Sequence, residues 1–127
     1  MAHVSFTNRE ADVMQVLWDH GPCIVSEVRA HLRDELAYTT VLSVLRTLET
    51  KGHVVHTEEG RGHRYAPKVK QQAARKSALK HLTDKFFQGS AEVLFTHLVS
   101  EQKLSREQIQ RMRDLLAEKA GEQEKPK

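Results

Sequence analysis

The sequence predicts a mainly α protein interrupted by one small β-hairpin, and three observations predict it. Apolar residues recur at three- and four-residue spacing through residues 8–50 and again beyond residue 70. Between these stretches the period falls to two, at His53-Val54-Val55-His56-Thr57-Glu58 and at His63-Arg64-Tyr65-Ala66-Pro67, across the turn residues Glu59-Gly60-Arg61-Gly62. Only 3 Pro and 6 Gly punctuate the 127 residues, which leaves room for long helices. The order helix, short strand, helix, helix, hairpin is that of a winged helix-turn-helix, here followed by three appended helices. We divide the chain into a winged domain over residues 1–70, a three-helix region over 71–120 and a flexible tail over 121–127.

The first helix opens at Phe6-Thr7-Asn8-Arg9-Glu10. Thr7 caps its free amides, and Glu10, three residues on, returns a bond to the N–H of Thr7. Val13, Met14, Leu17 and Trp18 line one face, and Gly21-Pro22 stops it. Cys23-Ile24-Val25 is a short β-branched run. It leads into a second helix that buries Val28 and Leu32. The third helix starts near Tyr38-Thr39-Thr40, with the Thr39 hydroxyl as its expected cap, and ends at Gly52 with Lys51 at its negative end. Beyond the hairpin a fourth helix, about Gln71–Phe87, carries Leu79, Leu82 and Phe86. Ser90 caps a fifth with Leu94, Phe95 and Leu98. A capping box (Ser105, Gln108) and a hydrophobic staple (Leu104, Ile109) start a sixth, whose apolar line is Ile109, Met112 and Leu116.

Three short helices with apolar stripes cannot all bury them against one another in a chain this small. A shared helical core between two copies removes the stripes from water, so Leu79, Leu82, Phe86, Leu94, Leu98, Ile109, Met112 and Leu116 are the expected dimerisation residues.

Charge is unevenly placed. Residues 51–80 hold 8 basic residues against Glu58 and Glu59, a net +6, while residues 1–50 carry −3 and residues 81–127 are neutral. Such a concentrated positive field suits a surface that meets phosphate. The third helix supplies a second indication. Its inward line is Val41, Leu45 and Leu48, and its outward face presents Thr40, Ser43, Thr47 and Thr50 beside Thr39 and Arg46. Ser and Thr are mediocre helix formers on an exposed face, but their short hydroxyls allow close approach to base edges, and Thr methyls can touch the methyl of thymine. Arg46 can reach a guanine edge or a phosphate. In the hairpin, Arg61 at the tip and Arg64 on the returning strand are placed to lie along the nucleic-acid backbone or in the minor groove, whereas Tyr65 alternates inward. The expected DNA-binding set is thus Thr39, Thr40, Ser43, Arg46, Thr47, Thr50, Lys51, Arg61 and Arg64.

At these residues the chain resembles the penicillinase-repressor-like winged-helix regulators, a family that includes the methicillin-resistance repressor and a copper-responsive branch. The resemblance rests on Phe6-Thr7-Asn8-Arg9-Glu10, Val13-Met14-Gln15-Val16-Leu17-Trp18 and Ala37-Tyr38-Thr39-Thr40-Val41. It continues through Leu45, Leu48, Lys51-Gly52, Gly60-Arg61, Tyr65-Ala66-Pro67 and Phe87-Gln88-Gly89-Ser90. It implies a homodimeric transcriptional repressor that binds a palindromic operator, with the last three helices as the dimerisation unit. Members often carry a basic residue where Leu42 stands and Arg where Thr47 stands. The resemblance also implies a membrane sensor protease as a partner, which in penicillin-responsive members cuts at an Asn-Phe pair. Counting from Gly89-Ser90, the equivalent pair here is His97-Leu98. The cysteine cluster of the copper-responsive branch is lacking.

Other chemistries find little support. A lone cysteine rules out a disulfide framework and multi-thiolate metal sites within one chain. The trio His53, His56 and His63 lies in and around the hairpin, but alternation sends His53 and His56 to opposite strand faces, so they cannot readily share an ion and we expect no metal. No cofactor is expected. No Gly-rich phosphate loop, Gly-x-Ser-x-Gly elbow or His-Glu-x-x-His is present, so we expect no enzyme. No apolar run reaches the length of a spanning helix and the start is no secretory signal, so a cytoplasmic location without membrane contact is expected. One alternative is a winged-helix protein-interaction adapter that does not read DNA sequence. A second, a repressor responsive to a small molecule or metal, would need an apolar pocket or ligand cluster that the sequence does not clearly supply.

Overall fold

The computed structural model describes residues 4–124. Its elements run α1 (Asn8–His20), β1 (Cys23–Ile24), α2 (Val25–His31), α3 (Tyr38–Thr50), β2 (Val54–Glu59), β3 (Gly62–Pro67), α4 (Gln71–Phe86), α5 (Ala91–Glu101) and α6 (Arg106–Glu124). The three strands form one antiparallel sheet in the order β1-β3-β2. The winged helix-turn-helix architecture with a helical region after it is therefore as the sequence predicts. Two compact units are present, one through Leu82 and one from Thr83 onward, with the unit limit falling inside α4 rather than before it. Among the described residues no helix is long and apolar enough to cross a membrane.

In the first unit, the inward faces of α1, α2 and α3 meet the inward face of the sheet. Val13, Met14, Leu17, Val28, Val41, Leu45, Leu48, Val54 and Tyr65 are almost wholly removed from water. Phe6 and Trp18 close the edge of this core, with Phe6 edge-on to both Trp18 and His53. The Trp18 indole donates to the carbonyl of Val69 at 3.0 Å, which fastens the chain leaving the wing onto α1.

The capping box of α1 forms as expected. The Thr7 N–H donates to Glu10 Oε1 at 2.8 Å and the Glu10 N–H donates to Thr7 Oγ1 at 3.1 Å. The same carboxylate takes a second, long-range partner, since Lys51 Nζ reaches both its oxygens at 2.9 and 3.0 Å. Glu10 is buried. Burial pushes its pKa up, but the Thr7 N–H and the Lys51 ammonium outweigh that, and the net shift is downward. His53 close by is also held below its ordinary value, by burial and by Lys51.

A carboxylate whose folded pKa is depressed stabilises the fold above its unfolded pKa and loses that contribution as pH falls through the folded value. For Glu10 the loss begins near its ordinary value of 4.5 and continues below it. Glu10→Gln should therefore cost about 1–3 kcal/mol at neutral pH and flatten the acid limb below that point. Urea midpoints measured from pH 7 to pH 3 check this; an unchanged acid limb in the variant would contradict it.

Three local expectations are corrected. Helix α3 is capped by Ala37, not Thr39: the N–H groups of Thr40 and Val41 donate to the Ala37 carbonyl at 3.0 and 3.2 Å, and no side chain caps the helix. The chain entering α3 is pinned instead by Arg29 Nε, which donates to the Leu36 carbonyl at 2.7 Å. Val25 opens α2 rather than extending β1. Helix α6 runs through Gly121 to Glu124, where a tail was expected. One exposed glycine costs a helix only about 1 kcal/mol, and its neighbours Ala120 and Glu122 are good helix formers. The remaining tail residues, 125–127, lie outside the described residues.

Candidate nucleic-acid interface

Helix α3 sorts its residues by face. Val41, Leu45 and Leu48 are fully buried, while Thr39, Ser43, Arg46, Thr47 and Thr50 are exposed and Thr40 is half-buried. Thr39, Ser43, Arg46, Thr47 and Thr50 line a shallow groove together with Leu42. Leu42 is a member that composition alone did not single out, because its apolar side chain reads as core; it is half-buried and packs partly on the core. The hydroxyls of Thr47 and Thr50 do not stand free as donors. Thr47 Oγ1 donates to the Ser43 carbonyl and Thr50 Oγ1 to the Arg46 carbonyl, both at 3.0 Å.

The wing is a tight hairpin in which Glu59 pairs with Gly62, so Gly60-Arg61 is a two-residue loop. Gly60 sits at φ +60°, a left-handed backbone that a primed hairpin turn requires at its first position. Arg61 is thereby held at the exposed tip. Strand alternation buries Tyr65 and leaves Arg64 on the other face, where β1 pairs Ile24 against it. A brace joins wing and helix: His56 Nδ1 lies 2.5 Å from Glu49 Oε2 at the end of α3, and the His56 ring stacks on His63 with centroids 4.1 Å apart. Among the described residues no group of three His, Cys, Asp or Glu side chains is placed to hold a metal. The Cys23 thiol is buried, donates to the Gly21 carbonyl, and has its pKa raised by burial and by Glu27.

The basic residues divide into two kinds. Arg46 and Arg61 make no ion pair among the described residues. Lys51 is committed to Glu10, and Arg64 is committed to Glu59, to Glu27 at 3.2 Å and to the Pro22 carbonyl at 3.0 Å. The Arg64 contact holds the Glu59 carboxyl below, and the guanidinium above, its ordinary pKa. Lys51 and Arg64, expected from the sequence to face phosphate, thus have their charges matched inside the protein. A count of charges along the chain could not reveal those pairings.

The appended helices leave their apolar residues largely in water. Leu79, Leu82, Phe86, Leu98, Ile109 and Leu116 are exposed, Phe86 by 66%, whereas Leu94 is buried and Met112 half-buried. Val93, Phe95, Val99 and Leu115 add to this exposed apolar surface. His97 and Leu98 both lie exposed within α5, with the His97 ring against Phe87.

A helix-turn-helix whose third helix presents hydroxyls and one unpaired arginine, next to a wing with a second, defines a DNA-binding transcriptional regulator. The chain belongs to the penicillinase repressor family, whose profile matches residues 6–118, and is a DNA-binding transcriptional repressor. It is 25% identical to the penicillinase repressor of Bacillus licheniformis over 114 residues, 88% of this chain and 89% of that one. It is 44% identical to the transcriptional regulator BlaI of Mycobacterium tuberculosis over 61 residues, 46% of this chain and 44% of that protein. The crystal structure of the transcriptional regulator Tm0710 from Thermotoga maritima is similar in fold, with a TM-score of 0.52 at 19% identity, over 91% of this chain and 74% of that one.

Proposed function

We propose that the chain represses transcription as a homodimer on a palindromic operator, each protomer laying α3 in the major groove with its wing across the backbone. The observation that carries this reading is the exposed face of Thr39, Ser43, Arg46, Thr47 and Thr50, held outward by a fully buried opposite face. Thr40 flanks it, and Arg61 supplies the phosphate contact. Lys51 and Arg64 act from behind, fixing α3 to α1 and the wing to β1 and α2. The exposed apolar residues of α4, α5 and α6 favour a second copy as their cover, since monomeric proteins rarely leave so large an apolar surface in water.

Selection of random duplex DNA against the purified protein, followed by binding against salt, tests the reading. One palindrome with a steep loss of affinity as salt rises is the expected result, and sedimentation should give twice the chain mass. Recovery of no preferred sequence with a shallow salt dependence would favour a protein-interaction adapter instead. Arg61→Ala should weaken specific and random duplexes alike and lower the salt slope by about 1. Arg64→Ala should change that slope less, because Glu59 and Glu27 already match its charge; an equal flattening would place Arg64 on phosphate. For release of repression we propose cleavage between His97 and Leu98 by a sensor protease. A cognate protease that left α5 intact would refute it.

A further inference from the structure

The two back-bonded threonines fix what the reading face offers to a ligand. Each spends its hydroxyl proton on a carbonyl of its own helix, so what faces outward is a methyl group and an oxygen able only to accept. Leu42 lines the same groove with further apolar surface. In the major groove only thymine offers a methyl; an acceptor oxygen suits adenine N6 and cytosine N4 alike, so the methyl carries the discrimination. Arg46, the one cationic donor in the groove, suits a guanine edge. Along the helix axis Arg46 and Thr50 are separated by about 6 Å, or about two base-pair steps.

We infer that Thr47 and Thr50 read thymine methyl groups, so that each half-site carries A·T pairs within about two steps of the base pair met by Arg46. This rests on the proposal that α3 reads DNA. It assigns the contacts to the methyls rather than to hydroxyl donors, because the hydroxyl protons are already used.

The test uses the wild-type protein and the duplex that selection recovers. Each thymine is replaced in turn by deoxyuridine, which lacks only the methyl. One or two positions per half-site should lose about fourfold in affinity, the worth of one buried methyl, and the rest should be unaffected. Thr47→Ser and Thr50→Ser keep the back-bonded hydroxyl and remove the methyl. They should bind the thymine and deoxyuridine duplexes equally at the position each residue reads. A selected site whose thymines all tolerate deoxyuridine overturns the methyl reading while leaving the repressor intact. Serine variants that still distinguish the two bases overturn the assignment to these threonines. Failure to select any sequence overturns both readings together.

Discussion

Replacing Leu45 by alanine should lower the free energy of unfolding by about 2–5 kcal/mol. Leu45 is fully buried in the middle of the inward line of α3, and α3 packs on both α1 and α2. Truncation removes apolar surface that has no other cover and leaves a cavity that three rigid helices cannot readily close. Against a typical domain stability of about 5–15 kcal/mol this is a large fraction. The expected observation is a lower urea midpoint with an unchanged slope, at fixed protein concentration. Where the variant remains folded, its affinity for DNA should be unaltered, because Leu45 points away from the reading face. A loss below about 1 kcal/mol would mean that α3 is not seated on this core.

Replacing Arg46 by alanine should have the opposite profile. Arg46 is exposed and makes no ion pair among the described residues, so stability should change by no more than about 0.5 kcal/mol. Affinity for the selected operator should fall by about 1–3 kcal/mol, with relaxed discrimination at one base pair. Binding isotherms on the operator and on random duplex, measured side by side, separate the possibilities. Equal losses on both would mark Arg46 as a phosphate contact that positions the helix without reading sequence.

Much of the architecture is legible because it is local. The capping boxes at Thr7–Glu10 and Ser105–Gln108 form as their spacing demands, with Ser105 N–H donating to Gln108 Oε1 and Gln108 N–H to Ser105 Oγ. The Ser90 cap forms likewise on the Val93 N–H. Alternation correctly sends Tyr65 inward. Where one local signal competes with another, the reading falters. Thr39 has the side chain of a cap, but the extended Ala37 precedes the first helical turn and its carbonyl takes the first bonds.

The sequence by itself determined the helix and strand types, the apolar faces that form the winged core and the outward face of α3. Periodicity, capping chemistry and turn residues act over a few positions, and all of them are written in the order of the residues. Only the tertiary structure decided which charges remain available. Lys51 meets Glu10 across 41 positions and Arg64 meets Glu27 across 37, and no local spacing encodes such encounters. The pairing of Cys23 with Tyr65 that joins β1 to the wing is equally non-local. The hydroxyl directions of Thr47 and Thr50 are local by contrast: each bonds a carbonyl four residues back in its own helix, one of two rotamers open to a helical threonine, and the order of residues does not choose between them. Side-chain electrostatics depend on distance in space, and that distance is set by packing rather than by position in the chain.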